Sequence, residues 1–192
     1  LKATIAHTRR KLQSSICSLY PGELVIPIDS SMLHYGLIKK ISKLNQDDSN
    51  KSYLGKYMCV PYGDILDRYI IPNTVTKALH TEKYFYPDMK SFKIDSFPHF
   101  LSLENQVKMI KAFNRPLILV DTILHKGYRM KALDPLLIKE NVEVEKLIVG
   151  ILSSRGKDLM EYQNREVDTV YFIPRLRLWF NESSMYPFMG GD

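Results

Sequence analysis

The stretch that most constrains the fold is residues 117–129, LILVDTILHKGYR. Four apolar residues, 117–120, precede Asp121, and such a run is typical of a parallel strand that is buried on both faces. A short loop with Gly127 follows, and a helical pattern begins directly after it. In open α/β sheets, ligands bind where the carboxyl end of a strand leads into the next helix. Because N–H groups at a helix amino terminus lack partners within the helix, this loop predicts an anion site.

The same pattern repeats through the carboxyl-terminal half of the chain. Strands are predicted over 117–121, 146–152 and 168–173, and helices over about 129–140 and 157–164 separate them. Alternation of this kind indicates a parallel sheet with right-handed crossovers. We therefore expect an α/β fold with three layers and a mainly parallel sheet.

The first half of the chain is less regular. Helices are predicted over 3–19, from the Asp29–Ser31 turn to about Leu44, over about 74–84 and over 103–113. Strands are predicted over 23–28 and 56–60, and a loop or hairpin is predicted over 86–98. Asp29, Ser30 and Ser31 follow the first strand, where they either cap the next helix or offer polar groups to the same cleft. A helix over 74–84 would align Lys77 with Thr81, and Thr76 with His80 and Lys83, on faces that either bind an anion or are merely solvated.

Composition narrows the class of protein. The chain has 192 residues, no apolar run of the roughly 18 residues that a membrane helix needs, and no signal-peptide pattern. Cys17 and Cys59 are far apart without metal-type spacing, so we expect a reducing, cytoplasmic setting. The net charge of +6 favours anionic partners, although a basic surface without a target is an equal alternative. The absence of a dense Lys/Arg run interleaved with aromatics argues against nucleic acid. The first residue is Leu, so we expect a region of a longer protein, with residues 1–192 forming one domain.

Each candidate residue around the loop has an ordinary alternative. Asp121 either binds a ribose hydroxyl or a metal such as Mg²⁺, or it only caps the turn. Gly127 either supplies a special conformation or is a plain turn glycine. Lys126 and Arg129 either grip a phosphate or are solvated cations. The remaining candidates are His125, Tyr128 and Arg155. Tyr128 either stacks on a base or simply packs. Arg155 either binds the ligand or lies in a surface turn.

Several catalytic signatures are missing from the sequence. It contains no Gly-x-Ser-x-Gly elbow, no Walker loop, no Gly-x-Gly-x-x-Gly and no pair of zinc-type ligands. His125 has no obvious Ser or Cys partner. These absences lower the expectation of hydrolase, ATPase or dehydrogenase chemistry.

The segment VDTILHKGYR, residues 120–129, resembles the signature of type I phosphoribosyltransferases. In that family a buried strand leads into two acids, a Thr-Gly loop and a helix. Asp121 matches the first acid and Gly127 the loop glycine, whereas Thr122 replaces the second acid. Lys126 and Arg129 replace the small residues that cradle the 5′-phosphate. The close of the chain, WFNESSMYPF at 179–188, resembles the aromatic segment that covers the base in some members.

The resemblance implies a pocket for a phosphorylated ribose or nucleotide at the carboxyl ends of strands 23–28, 117–121 and 146–152. Asp121 would contact ribose hydroxyls directly or through Mg²⁺. The backbone amides of residues 125–129, helped by Lys126 and Arg129, would hold the phosphate. Asp29, Ser30, Ser31 and Arg155 would line the same cleft, and the reaction, if any, would be phosphoribosyl transfer.

A second resemblance covers the segments VPYGDILDRYIIPNTVTKALHTEK, NRPLILVDTILHKGYRMKALDP and GILSSRGKDLMEYQNREVD. They are similar to a phosphoribosyltransferase-like region of bacterial proteins described as cytidyltransferase-related, in which it accompanies a nucleotidyltransferase-type domain. The alternative function is therefore a non-catalytic regulatory or interaction module beside such a domain, whose HxGH-type motif is absent from these residues. Aromatic-rich segments at 84–100 and 171–188 are candidates for a homodimer interface.

Overall fold

The computed structural model describes residues 2–45, 55–63 and 77–179. The chain divides into two compact units, residues 1–32 and 33–192, which are taken separately below. A single domain over the whole chain therefore stays a prediction. No helix in the described ranges is long and apolar enough to cross a membrane.

The first unit contains helix α1, Lys2–Leu19, which confirms the helix predicted over 3–19. The strand predicted over 23–28 is wrong, because residues 24–29 have no regular structure. Leu24 and Ile26 are 84% and 50% exposed. The apolar run was a valid strand pattern, but a strand also needs a neighbour to bond its backbone, and none of the described strands pairs with this segment.

The Asp29–Ser31 turn starts helix α2, Ser30–Asn45, as predicted. Asp29 Oδ1 accepts a hydrogen bond from Ser31 N at 2.8 Å and another from Ser31 Oγ at 2.5 Å. These bonds lower the pKa of Asp29, the hydroxyl bond most, with a smaller contribution from Arg9. The capping alternative for Asp29 is thereby confirmed.

The second unit is built on a four-stranded parallel sheet of order β1-β4-β5-β6, with a separate antiparallel hairpin β2-β3. Its elements are β1 Met58–Pro61, β2 Thr81–Phe85, β3 Phe92–Ser96, α3 Leu103–Lys111, β4 Leu117–Leu124, α4 Tyr128–Lys139, β5 Val144–Leu152, α5 Ser154–Tyr162 and β6 Val167–Phe172. The strand, helix, strand, helix, strand order predicted for 117–173 is confirmed.

Apolar side chains cover both faces of the sheet, because a parallel strand between helices has no solvent side. On one face, Leu117 and Leu119 of β4 join the core formed with α3, α4 and α5. On the other, Ile118 and Val120 pack with Leu37 and Ile41 of α2. The protein is therefore α/β with three layers and a mainly parallel sheet, as the sequence predicts.

The helix predicted over about 74–84 is wrong where the structure describes it. Residues 77–80 have no regular structure, and β2 pairs in antiparallel register with β3, so that Lys83 faces Ile94. Thr81, Tyr84 and Phe85 favour strands. The proposed helix faces, which joined Lys77 to Thr81 and His80 to Lys83, are therefore wrong as well. Thr76 and the predicted start of this helix at about residue 74 lie outside the described residues.

Candidate anion-binding site

Strand β4 is longer than the sequence suggested. It continues through Asp121 to Leu124, because β5 extends alongside it and pairs Ile123 with Ile151 and Leu124 with Leu152. The prediction that Asp121 ends the strand is therefore wrong, because Asp121 lies three residues before the end of β4. The loop between β4 and α4 contains only residues 125–127.

The carboxylate of Asp121 is buried, with 2% exposure. Its Oδ1 accepts a hydrogen bond from Thr122 N at 2.6 Å, and its Oδ2 lies 3.9 Å from Nη1 of Arg129. Gly63 lies directly against it, since a Cβ added there would stand 2.1 Å from both carboxylate oxygens. The carboxylate of Asp121 thus has a counter-ion within the protein, the guanidinium of Arg129. The role of Asp121 toward ribose or Mg²⁺ stays a prediction.

Arg129 does not extend into solvent as a loop cation would. It is 7% exposed and lies on the buried side of α4 with Met130, Leu133 and Leu137. The solvated alternative for Arg129 is therefore wrong. Its guanidinium is directed toward the sheet, and this orientation explains the ion pair with Asp121.

Gly127 is required by its conformation and its neighbour. Its φ of +66° is in the left-handed region, and a Cβ there would lie 2.0 Å from Cδ2 of Leu159 on α5. Gly127 precedes α4 without a side-chain cap. The first helical bond runs from Lys131 N to Gly127 O at 2.8 Å, so the N–H groups of residues 128–130 lie outside the helical ladder.

Three lysines surround Tyr128, the first residue of α4. The Nζ atoms of Lys131, Lys83 and Lys126 lie 5.2, 5.8 and 5.9 Å from the centre of its ring. Phe92 of the hairpin contacts the same ring edge-to-face at 4.8 Å, and Lys83 Nζ lies 4.4 Å from the Phe92 ring. The hairpin thereby brings the ammonium group of Lys83 to the ring of the first residue of α4.

The predicted lack of a partner for His125 is wrong, because Ser153 lies against it. Ser153 Oγ donates to His125 O at 2.9 Å, accepts from Gly156 N at 3.1 Å and lies 3.1 Å from His125 Nδ1. A hydroxyl has one proton, and here it is given to the carbonyl. Nδ1 must therefore carry a proton and donate it to Oγ, which leaves Nε2 as the acceptor in the neutral ring.

The ring of His125 is held neutral. Burial lowers its pKa below the usual 6.5, and the positive charges of Lys126 and Arg155 lower it further. Trp179 covers the ring edge-to-face at 5.7 Å. Arg155 is exposed in the first turn of α5, so the structure places it close enough to act on His125 electrostatically while leaving its head in solvent.

Part of the predicted site is brought together and part is not. His125, Lys126, Gly127, Tyr128, Arg129 and Asp121 lie together between β4 and α4, with Arg155 nearby on α5. Asp29, Ser30 and Ser31 belong to the first compact unit, and their place in the cleft stays a prediction. The sequence analysis missed the contributions of Ser153, Gly63 and Lys131, and it placed Lys83 on a helix where the structure has strand β2.

Two of the missed residues had a signal in the sequence. Ser153 follows a strand and precedes Gly156, a pattern typical of a serine that caps a helix. Gly63 follows β1 in a Pro-Tyr-Gly turn. Lys131 had none, and the proximity of Lys83 to the loop was not predictable, because it lies 42 positions before His125 in the sequence.

In the part of the chain that the structure describes, no group of three or more His, Cys, Asp or Glu side chains is placed to hold a metal ion such as Mg²⁺. Asp121 as a ligand of Mg²⁺ stays a prediction.

No protein-family model and no curated protein matches this chain. Among solved structures, it is similar to a purine phosphoribosyltransferase from Pyrococcus horikoshii, with TM-score 0.47, 10% identity and coverage of 84% of this chain and 93% of the other. It is also similar to a hypoxanthine phosphoribosyltransferase from Staphylococcus aureus, with TM-score 0.45, 14% identity and coverage of 80% and 79%. A third is the adenine phosphoribosyltransferase of Trypanosoma brucei in complex with AMP, pyrophosphate and ribose-5-phosphate, with TM-score 0.45, 11% identity and coverage of 72% and 64%.

Proposed function

We propose that this domain binds the phosphate group of a phosphorylated ribose or nucleotide at the amino terminus of α4. The observation that carries the proposal is the convergence of three lysine ammonium groups within 5.9 Å of the Tyr128 ring, at a helix terminus without a side-chain cap. The lysines come from three separate places, namely the hairpin, the loop and the first turn of α4.

Electrostatics gives the reason. The amino end of a helix carries the equivalent of roughly half a positive charge, which favours an anion there. A phosphate would accept hydrogen bonds from N–H groups at this end of α4 and would be attracted by the ammonium groups near Tyr128.

The candidate reaction at such a site is phosphoribosyl transfer. In that reaction an acceptor nucleophile bonds to C1 of the ribose while the bond from C1 to pyrophosphate breaks, and the site at α4 would hold the 5′-phosphate so that the ribose stays in position.

A second candidate is a non-catalytic regulatory module, as in the cytidyltransferase-related proteins that the sequence resembles. The burial of Asp121 against Arg129 favours it, because an acid that serves a sugar during catalysis needs contact with that sugar. An adjoining nucleotidyltransferase domain and a homodimer belong to this candidate. The full-length reading frame tests the first of these, since an HxGH-type motif is expected in the adjoining domain.

Isothermal titration tests the binding proposal. The ligands are phosphoribosyl pyrophosphate, ribose 5-phosphate and nucleoside monophosphates, each with and without Mg²⁺. We expect saturable binding that Lys131→Gln weakens roughly threefold to tenfold, which corresponds to the loss of about 0.7–1.4 kcal/mol. The matched control is Lys139→Gln, at the other end of α4, roughly 12 Å along the helix. Absence of binding by every ligand would refute the proposal.

An assay of pyrophosphate exchange separates the two candidates. A transferase exchanges labelled pyrophosphate with phosphoribosyl pyrophosphate in the presence of its acceptor. A regulatory module binds the same ligands without turnover.

A further inference from the structure

We propose that Ser153 is a positioning residue of the phosphate site at α4. Its hydroxyl holds the three-residue loop between β4 and α4 in the shape that directs the amino end of α4 toward the ligand. This role rests on the proposed function and deepens it, because it assigns the shape of the phosphate site to a side chain of the neighbouring β5–α5 turn.

Ser153 lies between β5 and α5, and its side chain is fully buried. Its Oγ donates a hydrogen bond to His125 O at 2.9 Å and lies 3.1 Å from His125 Nδ1. Its backbone N donates to Leu124 O at 3.1 Å. Ser153 therefore binds the last residue of β4 and the first residue of the loop, and it contacts the latter through both main chain and side chain.

Helix capping alone does not explain these contacts. Ser153 caps α5 by accepting a hydrogen bond from Gly156 N at 3.1 Å, and a cap needs only this acceptor role. The proton of the hydroxyl is given to His125 O, which belongs to a different turn. Ser102 is an N-cap of the ordinary kind, since it is exposed and accepts a hydrogen bond from Asn105 N at 3.4 Å at the start of α3.

Two glycines let α5 approach the loop closely. A Cβ on Gly156 would lie 2.4 Å from Leu124 O, and a Cβ on Gly127 would lie 2.0 Å from Cδ2 of Leu159. The beginning of the loop thus contacts the first turn of α5, and the end of the loop contacts a leucine of the same helix. Because the Ser153 hydroxyl bonds both turns, it keeps these close surfaces together.

The shape of the loop matters to a phosphate because hydrogen bonds are directional. An N–H group binds an oxygen well at about 2.7–3.2 Å and at angles above about 150°. Gly127 precedes α4 and has no side chain to cap it, so the direction of the N–H groups at this end of α4 depends on the loop backbone. Without the Ser153 hydroxyl, the carbonyl of His125 loses a buried partner, and a loop conformation that gives it another donor becomes favourable.

Calorimetric titration of Ser153→Ala tests this role, with inorganic phosphate and ribose 5-phosphate as ligands. We expect both affinities to fall roughly threefold to tenfold, because the lost hydrogen bond misplaces the N–H groups of α4. The matched control is Ser102→Ala, which removes the capping hydroxyl of α3. It should lower the melting temperature but keep both affinities within about twofold of the native values, because lower stability alone does not change the affinity of a folded protein.

The outcomes separate the positioning role from the proposed function. Native affinity of Ser153→Ala for both ligands would overturn the positioning role while leaving the phosphate site intact. If the native protein binds neither ligand, the proposed function fails, and the role of Ser153 fails with it.

A second measurement uses the native protein and therefore does not depend on the folding of Ser153→Ala. Amide ¹H–¹⁵N spectra are recorded while inorganic phosphate is added. We expect the resonances of residues 127–131 to shift and that of Gly156 to shift with the same midpoint, because Gly156 N–H is bonded to the hydroxyl that holds the loop. Asn105 N–H, bonded to Ser102, is the control and should not shift. Shifts over 127–131 with an unmoved Gly156 would overturn the positioning role, and no shift over 127–131 would refute the phosphate site as well.

Discussion

At the scale of single residues, the Ser153 hydroxyl connects the two turns that border the candidate site. It bonds the carbonyl and ring of His125 in the β4–α4 loop and caps α5 through Gly156 N. Ser153 N also donates to Leu124 O at 3.1 Å. One fully buried side chain thus fixes the loop, the orientation of the imidazole ring and the position of its proton. The donation of its proton to a carbonyl rules out Ser153 as a hydroxyl activated by His125 in this arrangement.

The lowered pKa of His125 predicts a loss of stability in mild acid. Burial and the nearby Lys126 and Arg155 keep the folded ring neutral, whereas the unfolded ring titrates near its ordinary pKa of 6.5. As the pH falls below that value, the unfolded state takes up a proton that the folded state does not, and the free energy of unfolding decreases. The decrease is at most about 1.4 kcal/mol per pH unit from this group.

Urea unfolding at pH 7.5 and 5.5 measures this effect. His125→Asn keeps an N–H near the position of Nδ1 but does not titrate, so it should lose less stability on acidification than the native protein. His99→Asn is the matched control, because His99 is exposed in a turn with φ of +68°, a conformation that Asn tolerates. Equal acid sensitivity of the native protein and His125→Asn would contradict the prediction.

At the scale of elements, Gly127 fixes how α4 follows β4. It combines a positive φ with a close approach of Leu159, so Gly127→Ala should destabilise the protein by about 2–3 kcal/mol, mostly from the backbone and partly from displacement of the leucine. Asn141→Ala, just beyond the other end of α4, is the control. Its φ is +51° and it is exposed, so only the backbone strain of about 1 kcal/mol applies. Urea unfolding compares the two; similar losses would mean that the Leu159 contact is unimportant.

The elements also show what the sequence could and could not predict. Strands β4 to β6 and their helices were predictable because long apolar runs and helical periods alternate there. The end of β4 was misplaced because Asp121 interrupts the apolar run, whereas pairing with β5 continues to Leu124. Residues 23–28 were predicted as a strand and are irregular, whereas residues 77–85 were predicted as part of a helix and lead into strand β2. Both errors arise because the local pattern does not reveal whether a second strand is available for pairing. Near the β4–α4 loop, the special conformation of Gly127 was predictable, but burial of Arg129 depends on which side of α4 faces the sheet.

At the scale of the whole molecule, the question is whether anion binding comes from net charge or from local placement. The chain carries 27 Lys and Arg against 21 Asp and Glu, which gives +6. A charge of this size attracts anions to the whole surface, but it selects no position. The ammonium groups of three lysines near the Tyr128 ring form one local cluster, and Lys139, at the far end of α4, is paired with Glu104 at 2.9 Å.

Ionic strength separates these two sources. Raising salt from 0.1 M to 1 M shortens the Debye length from about 10 Å to about 3 Å, so the affinity of the native protein for ribose 5-phosphate should fall roughly tenfold. If the local cluster is responsible, Lys131→Gln should make this dependence shallower, because one of the ammonium groups near the bound phosphate is lost. Lys139→Gln removes the same net charge from the far end of α4 and should leave the salt dependence unchanged. Equal flattening by both variants would assign binding to net charge and would remove the support that the lysine cluster gives to a phosphate site.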